Sequence, residues 1–520
     1  MNNRRFWLCA AALLALVLCT RLPILTHEML NHPDEHVFVQ GATSLRDVLL
    51  RGAEYTETKP YPEGSYFFFL PFQLLAWAIG RLTGLAQDAR VWNRIASLVY
   101  FGVGGLMGLM LLKKHFGGGK SMAVYTALLA FSLLHIEQSR YGTGDAISFA
   151  LLMLTVYCTA QWTGGGKNVW LYASGVLVGF LGAVKYPLLY FCLAPLCAVF
   201  LREKSGRARA KLICAGVLLA VAGFLILSPE VIKDPRYIID VCRREIKAYM
   251  LSGSRVEVGG PLNHAFALAA YWLGYSDLLL APAFAFVGMR CLRRKGDKAP
   301  ADKLLYIALP MIAGGFALYN MFVSALFMRT LYPFFCIALL YTAYGAEKLL
   351  ESRRAVAALL LGLSIARGVW FIGAYLPGDR TDALDGCIAQ AQQIAGTDRI
   401  TGLVTNRYMT GHWTRFRDRY PQARIVELSE LHEGKWPEIA SGDIVVTGPL
   451  EMARAKPYLF PIDDAGVQNC IDGWAAFKEK YAEYFVGQSY PQYYAGLFGF
   501  WINGVVSEFD FPMNFVYAVP

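Results

Sequence analysis

Asn31-His32-Pro33-Asp34-Glu35-His36 places two adjacent carboxylates a few residues past the end of an apolar run. Acids there can cap a helix that starts after Pro33. Held at a dry membrane edge, they can instead take a proton from an incoming nucleophile. Thr58-Lys59-Pro60-Tyr61-Pro62 offers a lysine that either snorkels from a turn or sets a point charge against phosphate. Ser139-Arg140-Tyr141-Gly142-Thr143-Gly144-Asp145 joins two apolar runs, with two glycines for a tight bend. Asp145 alone reads as an N-cap. Beside Arg140 at a bilayer edge it reads as part of a site.

Two further breaks in apolar sequence carry cations: Lys185-Tyr186-Pro187 and Phe327-Met328-Arg329-Thr330-Leu331-Tyr332-Pro333. Between them, residues 229–264 hold Arg236, Arg243, Arg244, Lys247, Arg255 and His264. Singly these are solvated loop charges. Together they form a cationic lining suited to a phosphate or pyrophosphate headgroup.

The elements that must hold these residues are membrane spans. Of 520 residues 56% are hydrophobic and 17% charged, with mean hydropathy +0.37, against about 25% charged in soluble domains. That excludes a soluble enzyme, a fibre or a disordered chain. The net charge of +10 reads as a topology signal rather than a nucleic-acid face. Basic clusters at 113–120, 202–211, 290–298 and 348–354 mark the cytoplasmic side, as does Arg4-Arg5. Most of the eleven cysteines sit in or at the ends of apolar runs as small hydrophobes. Cys387 and Cys470 fall outside and form a candidate bridge in an oxidising compartment.

Fitting spans between the markers predicts about eleven, at 6–25, 91–112, 119–136, 146–162, 168–184, 187–201, 211–228, 265–290, 304–323, 331–347 and 355–375. The run from Tyr66 to Leu85 breaks the alternation. Pro71 interrupts it, and Arg81, Arg90 and Arg94 follow. It is read as a juxtamembrane helix lying at the outer interface. The resulting parity puts every polar segment named above on one extracytoplasmic face. The fold expected is therefore an α-helical polytopic membrane protein, with a transmembrane domain over 1–376. A soluble extracytoplasmic α/β domain is expected over 377–520, with strand-like runs at Ile400–Val404 and Ile444–Val446.

The acidic pair after the first span, the Lys-Pro before an interfacial helix, Arg-x4-Asp, Lys-x-Pro and Arg-Thr-Leu-Tyr-Pro stand in one order on one face. That order resembles the GT-C membrane glycosyltransferases, above all the bacterial branch of protein O-mannosyltransferases and aminoarabinose transferases, over about residues 1–350. The resemblance implies an inverting transferase in the inner or plasma membrane that serves the cell envelope. It would move a sugar from a polyprenyl-phosphate carrier to a hydroxyl on a glycan, lipid or protein. By position Asp34 resembles the catalytic base, accompanied by Glu35, and Asp145 the second acidic residue. Lys59 and Arg329 resemble the donor-phosphate ligands, with Lys185, Arg140, His264 and Arg255 as further cations. His36, Tyr61 and Tyr332 are expected to contact substrate. Lys-Pro-Tyr-Pro in place of Lys-Pro-Pro, and His36 in place of an arginine, depart from the family pattern. No metal or other cofactor is expected, since Asp34-Glu35 is not an Asp-x-Asp spacing. The competing readings are a transporter or flippase of a lipid-linked or anionic substrate, and a polysaccharide ligase or polymerase with a pyrophosphate-linked donor.

Overall fold

The computed structural model describes residues 3–25, 35–53, 63–116, 119–246, 285–288, 290, 299–321, 330–375, 381–403, 416–417, 419–447, 464–489 and 514–519. Up to residue 375 the described chain is helical. The helices are α1 (Asn3–Leu25), α2 (Glu35–Arg51), α3 (Gly64–Thr83), α4 (Ala89–Leu111), α5 (Gly119–Phe131), α6 (Leu133–Arg140), α7 (Gly144–Thr163) and α8 (Asn168–Val184). They continue as α9 (Leu193–Arg202), α10 (Gly206–Ile226), α11 (Pro229–Lys233), α12 (Arg236–Ile246), α13 (Leu309–Met321), α14 (Tyr332–Ser352) and α15 (Arg354–Tyr375).

Among the described residues six helices are long and apolar enough to cross a bilayer, or seven if the bent pair α5–α6 makes one span. The eleven-span expectation is thus met only in part. α8 and the Tyr186–Arg202 segment are apolar but shorter, and the expected span at 265–290 lies almost wholly outside the described residues. α7 is the central helix, buried along nearly its whole length, and it packs on α4, α8 and α9. α10 has the opposite character: it rests mainly on α8 and leaves Val217, Leu218, Val221 and Ile226 exposed.

α3 passes the length and apolarity test for a span, and it packs on α4 through Phe68 and Phe72 against Tyr100. A Cβ at Gly64 would sit 2.5 Å from the backbone of Ala183, at the last turn of α8, and Ser65 stands against Gly144, at the first turn of α7. Nine residues after Gly64, the Gln73 Nε2 donates to Asn93 Oδ1 and to the Ala89 carbonyl, both at 2.7 Å, in the first turns of α4. Residues 65 and 73 are about 12 Å apart along a helix, and both meet helix ends.

After residue 380 the described residues form α16 (Thr381–Ala395) and five strands: β1 (Ile400–Leu403), β2 (Arg424–Val426), β3 (Ile444–Thr447), β4 (Phe485–Ser489) and β5 (Asn514–Ala518). Two more helices, α17 (Leu428–His432) and α18 (Asp464–Tyr481), accompany them. The sheet order is β2-β1-β3-β5-β4, with β1 parallel to β2 and β3, and β5 antiparallel to β3 and β4. β1 and β3 are buried on both faces, which explains why they read as continuous apolar runs rather than alternating ones. One face packs Phe477 and Tyr481 of α18, the other Ile388 and Ala391 of α16. Cys387 carries a free thiol packed against the α16 side, so the suggested bridge to Cys470 is not formed from it.

Candidate active site

Glu35 opens α2 and is buried, at 1% exposure. Arg94, near the start of α4, clasps it with a two-pronged ion pair: Nε to Oε1 and Nη2 to Oε2, both at 2.7 Å. Oε1 also accepts the backbone N–H of Gly142 at 2.7 Å. The third prong of Arg94, Nη1, donates to the Leu25 carbonyl at the end of α1 at 2.8 Å. One carboxylate and one guanidinium thus join the end of α1, the start of α2, α4 and the turn at 141–143. Two fully buried charges are tolerable because they are paired with each other and each makes a further hydrogen bond to backbone. Glu35 holds this end of the bundle together through both carboxylate oxygens.

Gly142 is required by the same contact. A Cβ there would stand 2.7 Å from Asn93 Cβ and 3.2 Å from Glu35 Oε1. Past it, Asp145 sits in the first turn of α7, where an acid complements the helix dipole. It accepts the Thr143 hydroxyl at 3.0 Å and pairs with the Lys185 ammonium. Lys185 lies where α8 ends and Pro187 turns the chain into a short 3-10 helix. Its side chain is 28% exposed while that of Asp145 is 3% exposed. The buried acid therefore fixes an ammonium that still faces open space. Arg140, buried at the end of α6, lies over the Tyr141 ring and donates to its hydroxyl.

Tyr332 is fully buried at the start of α14, its hydroxyl 3.1 Å from His135 Nδ1 on α6. The late Arg-Thr-Leu-Tyr-Pro segment is thereby joined to the segment that carries Arg140 and Asp145. Rings of Phe101 and Phe149 complete this layer around His135. Asp34, Lys59, Tyr61, Arg255, His264 and Arg329 lie outside the described residues, and for His36 the structure describes the backbone in α2. Of the expected set, the structure brings together Glu35, Arg140, Asp145, Lys185 and Tyr332. It adds Arg94 and His135, which the sequence reading passed over. Arg94 had a signal, an arginine inside the first turns of an apolar span. His135 had none beyond its place in one. Among the described residues no three His, Cys, Asp or Glu side chains gather as a metal-holding group.

Residues 73–232 match the family model described as dolichyl-phosphate-mannose-protein mannosyltransferase. The matched stretch contains Gln73, Arg94, Arg140, Gly142, Asp145 and Lys185. No curated protein matches the chain.

Proposed function

We propose that the chain, whose residues 73–232 match the dolichyl-phosphate-mannose-protein mannosyltransferase family model, is a multi-pass membrane glycosyltransferase with a lipid-phosphate sugar donor, and that its own residues divide the reaction as follows. The acceptor hydroxyl attacks the anomeric carbon of the carrier-linked sugar, with mannose the sugar the family implies. Asp34 takes the hydroxyl proton as the new glycosidic bond forms. The bond from C1 to the phosphate oxygen breaks, and polyprenyl phosphate leaves with the electron pair. The configuration at C1 inverts.

Lys185 neutralises the departing phosphate, joined by Lys59, Arg329, Arg140, Arg255 and His264. Asp145 positions Lys185 and is not itself a proton acceptor in this scheme. Glu35 positions the acidic segment, and His36, Tyr61 and Tyr332 shape the substrate path. Preset charges of this kind act where charge develops and need no reorganisation during the step. The site faces the extracytoplasmic side of the plasma membrane, with α3 lying along that interface and its Phe and Trp residues in lipid. The region after residue 376 folds as a separate domain on the same side and contributes to acceptor choice.

The observation that carries this reading is the clamp of Glu35 on Arg94 and Gly142. Chain continuity ties Asp34 to Glu35, and the clamp ties Glu35 to the turn that leads into the Asp145–Lys185 pair. The test is transfer by the purified chain from polyprenyl-phosphate mannose to hydroxyl acceptors, alongside donor binding. Asp34→Asn is expected to abolish transfer and leave donor binding intact, while Lys185→Ala weakens donor binding. Full transfer by Asp34→Asn removes it as the base. Failure of the native chain to bind any polyprenyl-phosphate sugar overturns the whole assignment.

A further inference from the structure

Arg21 lies near the end of α1, inside the apolar bundle, and is fully buried. Such a charge is costly unless its donors are satisfied. Among the described residues it has no carboxylate partner. Its Nη1 donates to the Ala130 carbonyl at 2.6 Å and to Thr20 Oγ1 at 2.5 Å, and its Nη2 to the Leu129 carbonyl at 3.0 Å. Its Nε donates to Ser139 Oγ at 3.0 Å, and the guanidinium lies 5.0 Å from the centre of the Phe101 ring.

The identity of those acceptors gives the arrangement its meaning. In an unbroken helix the carbonyls of residues 129 and 130 would accept from the N–H groups of residues 133 and 134. The chain instead bends by 66° between α5 and α6. The last helical bond before the bend runs from Ser132 N–H to the Leu128 carbonyl. The next two carbonyls are orphaned at a helix C-terminus, where the dipole favours a cation. Arg21 takes both. The same planar group reaches across to Ser139 on α6, which itself donates to the His135 carbonyl at 2.6 Å. Ser139 immediately precedes Arg140 and the turn to Asp145.

We propose that Arg21 is a positioning residue that fixes the bend between α5 and α6, and so sets where Arg140, Gly142 and Asp145 stand relative to the acidic segment. The proposal rests on the transferase reading for its effect on rate, but not for its effect on the bend. A guanidinium is needed because its donors diverge in one rigid plane, two toward α5 and one toward α6. A lysine ammonium satisfies the carbonyls or the hydroxyl and cannot span both as well.

The experiment compares the native chain with Arg21→Lys, Arg21→Gln, Ser139→Ala and the double variant Arg21→Gln/Ser139→Ala, each in full-length purified form. Transfer kinetics and amide hydrogen exchange over residues 129–145 are both measured. Arg21→Gln is expected to lower kcat by about 10- to 100-fold, the scale of a misplaced catalytic geometry, with donor KM changed less. Arg21→Lys should recover part of that loss. Exchange in 132–140 should rise in Arg21→Gln, and Ser139→Ala should add little on top of it, since the two act as one unit. Unchanged exchange and kcat in folded Arg21→Gln overturns the proposal, as do additive effects of the two substitutions. If Arg21→Gln does not fold, Ser139→Ala decides: native exchange and native kcat in that variant also overturn it. A native chain without transfer activity removes the transferase reading, while the exchange arm still tests the bend.

Discussion

Arg94 and Glu35 bury opposite charges at a place where three helix ends meet, and their value lies in position more than in net stabilisation. Replacing a buried ion pair with apolar groups of similar volume is often neutral, whereas removing one partner strands the other. Arg94→Ala is therefore expected to cost about 3–5 kcal/mol of stability, read as loss of the unfolding midpoint in detergent. The double variant Glu35→Leu/Arg94→Met should be more stable than Arg94→Ala. It should nonetheless fail in transfer, because the Gly142 N–H loses its acceptor. A double variant with native transfer rates would show that the clamp does not position the turn. The acidic pair was visible in the sequence as two neighbouring carboxylates, but the clamp on Glu35 was not, because the partner that fixes Glu35 comes from 59 positions later in the chain. Arg94 read as one of several arginines after an apolar run, although its place inside the first turns of the next apolar helix was a signal.

At the scale of elements, the turn between α6 and α7 depends on close approach. Gly142→Ala puts a methyl group against Asn93 and Glu35, and is expected to cost about 1–3 kcal/mol and to lower kcat. Gly216 in α10 has open space where its Cβ would stand. Gly216→Ala should be neutral or stabilise by about 0.5–1 kcal/mol, with unchanged transfer. Equal effects of the two, measured by thermal unfolding and initial rates, would contradict the packing described for the turn. The positions of most helices were legible from apolar runs and the basic clusters between them. The 66° break between α5 and α6 was not, because residues 119–136 read as one continuous apolar run. A buried arginine and two freed carbonyls, distant in sequence, hold it. The expected interfacial course of α3 rests on charge alternation alone, while the helix itself is long and apolar enough to cross a membrane.

For the whole molecule, two kinds of core coexist. The helices share one large apolar cluster from Phe6 to Ile372, while the sheet region has its own clusters on the two faces of β1, β3 and β5. The sheet region also carries a pH response. Burial, and then the hydrogen bond from its hydroxyl to Asp385 at 2.5 Å, push the Tyr420 phenol well above its ordinary range. A raised folded-state pKa contributes stability that is complete below about pH 10, the unfolded value, and is lost as pH rises beyond it. Above about pH 10 the sheet region of the native chain should accordingly lose stability faster than that of Tyr420→Phe. Phenolate absorbance in the native-minus-variant difference should appear only above pH 10. The strands β1 and β3 could be read as short apolar runs, but β5 could not be paired from sequence, because its place is set by partners far along the chain.

That placement of β5 has a consequence for biosynthesis. β3 ends at Thr447, yet the strand that covers its open side is Asn514–Ala518, and β4 joins the sheet only through that strand. While the ribosome is still making residues 448–513, β3 presents an uncovered edge, a template for pairing with another chain. The sheet cannot be completed until residue 518 has been synthesised and delivered to the same side as β1 and β3. A helical bundle rich in local contacts can form progressively as it is inserted, but this region must wait. Nascent chains stalled before residue 514 should therefore be captured by holding chaperones and cut readily by protease after residue 380, with the helical part already resistant.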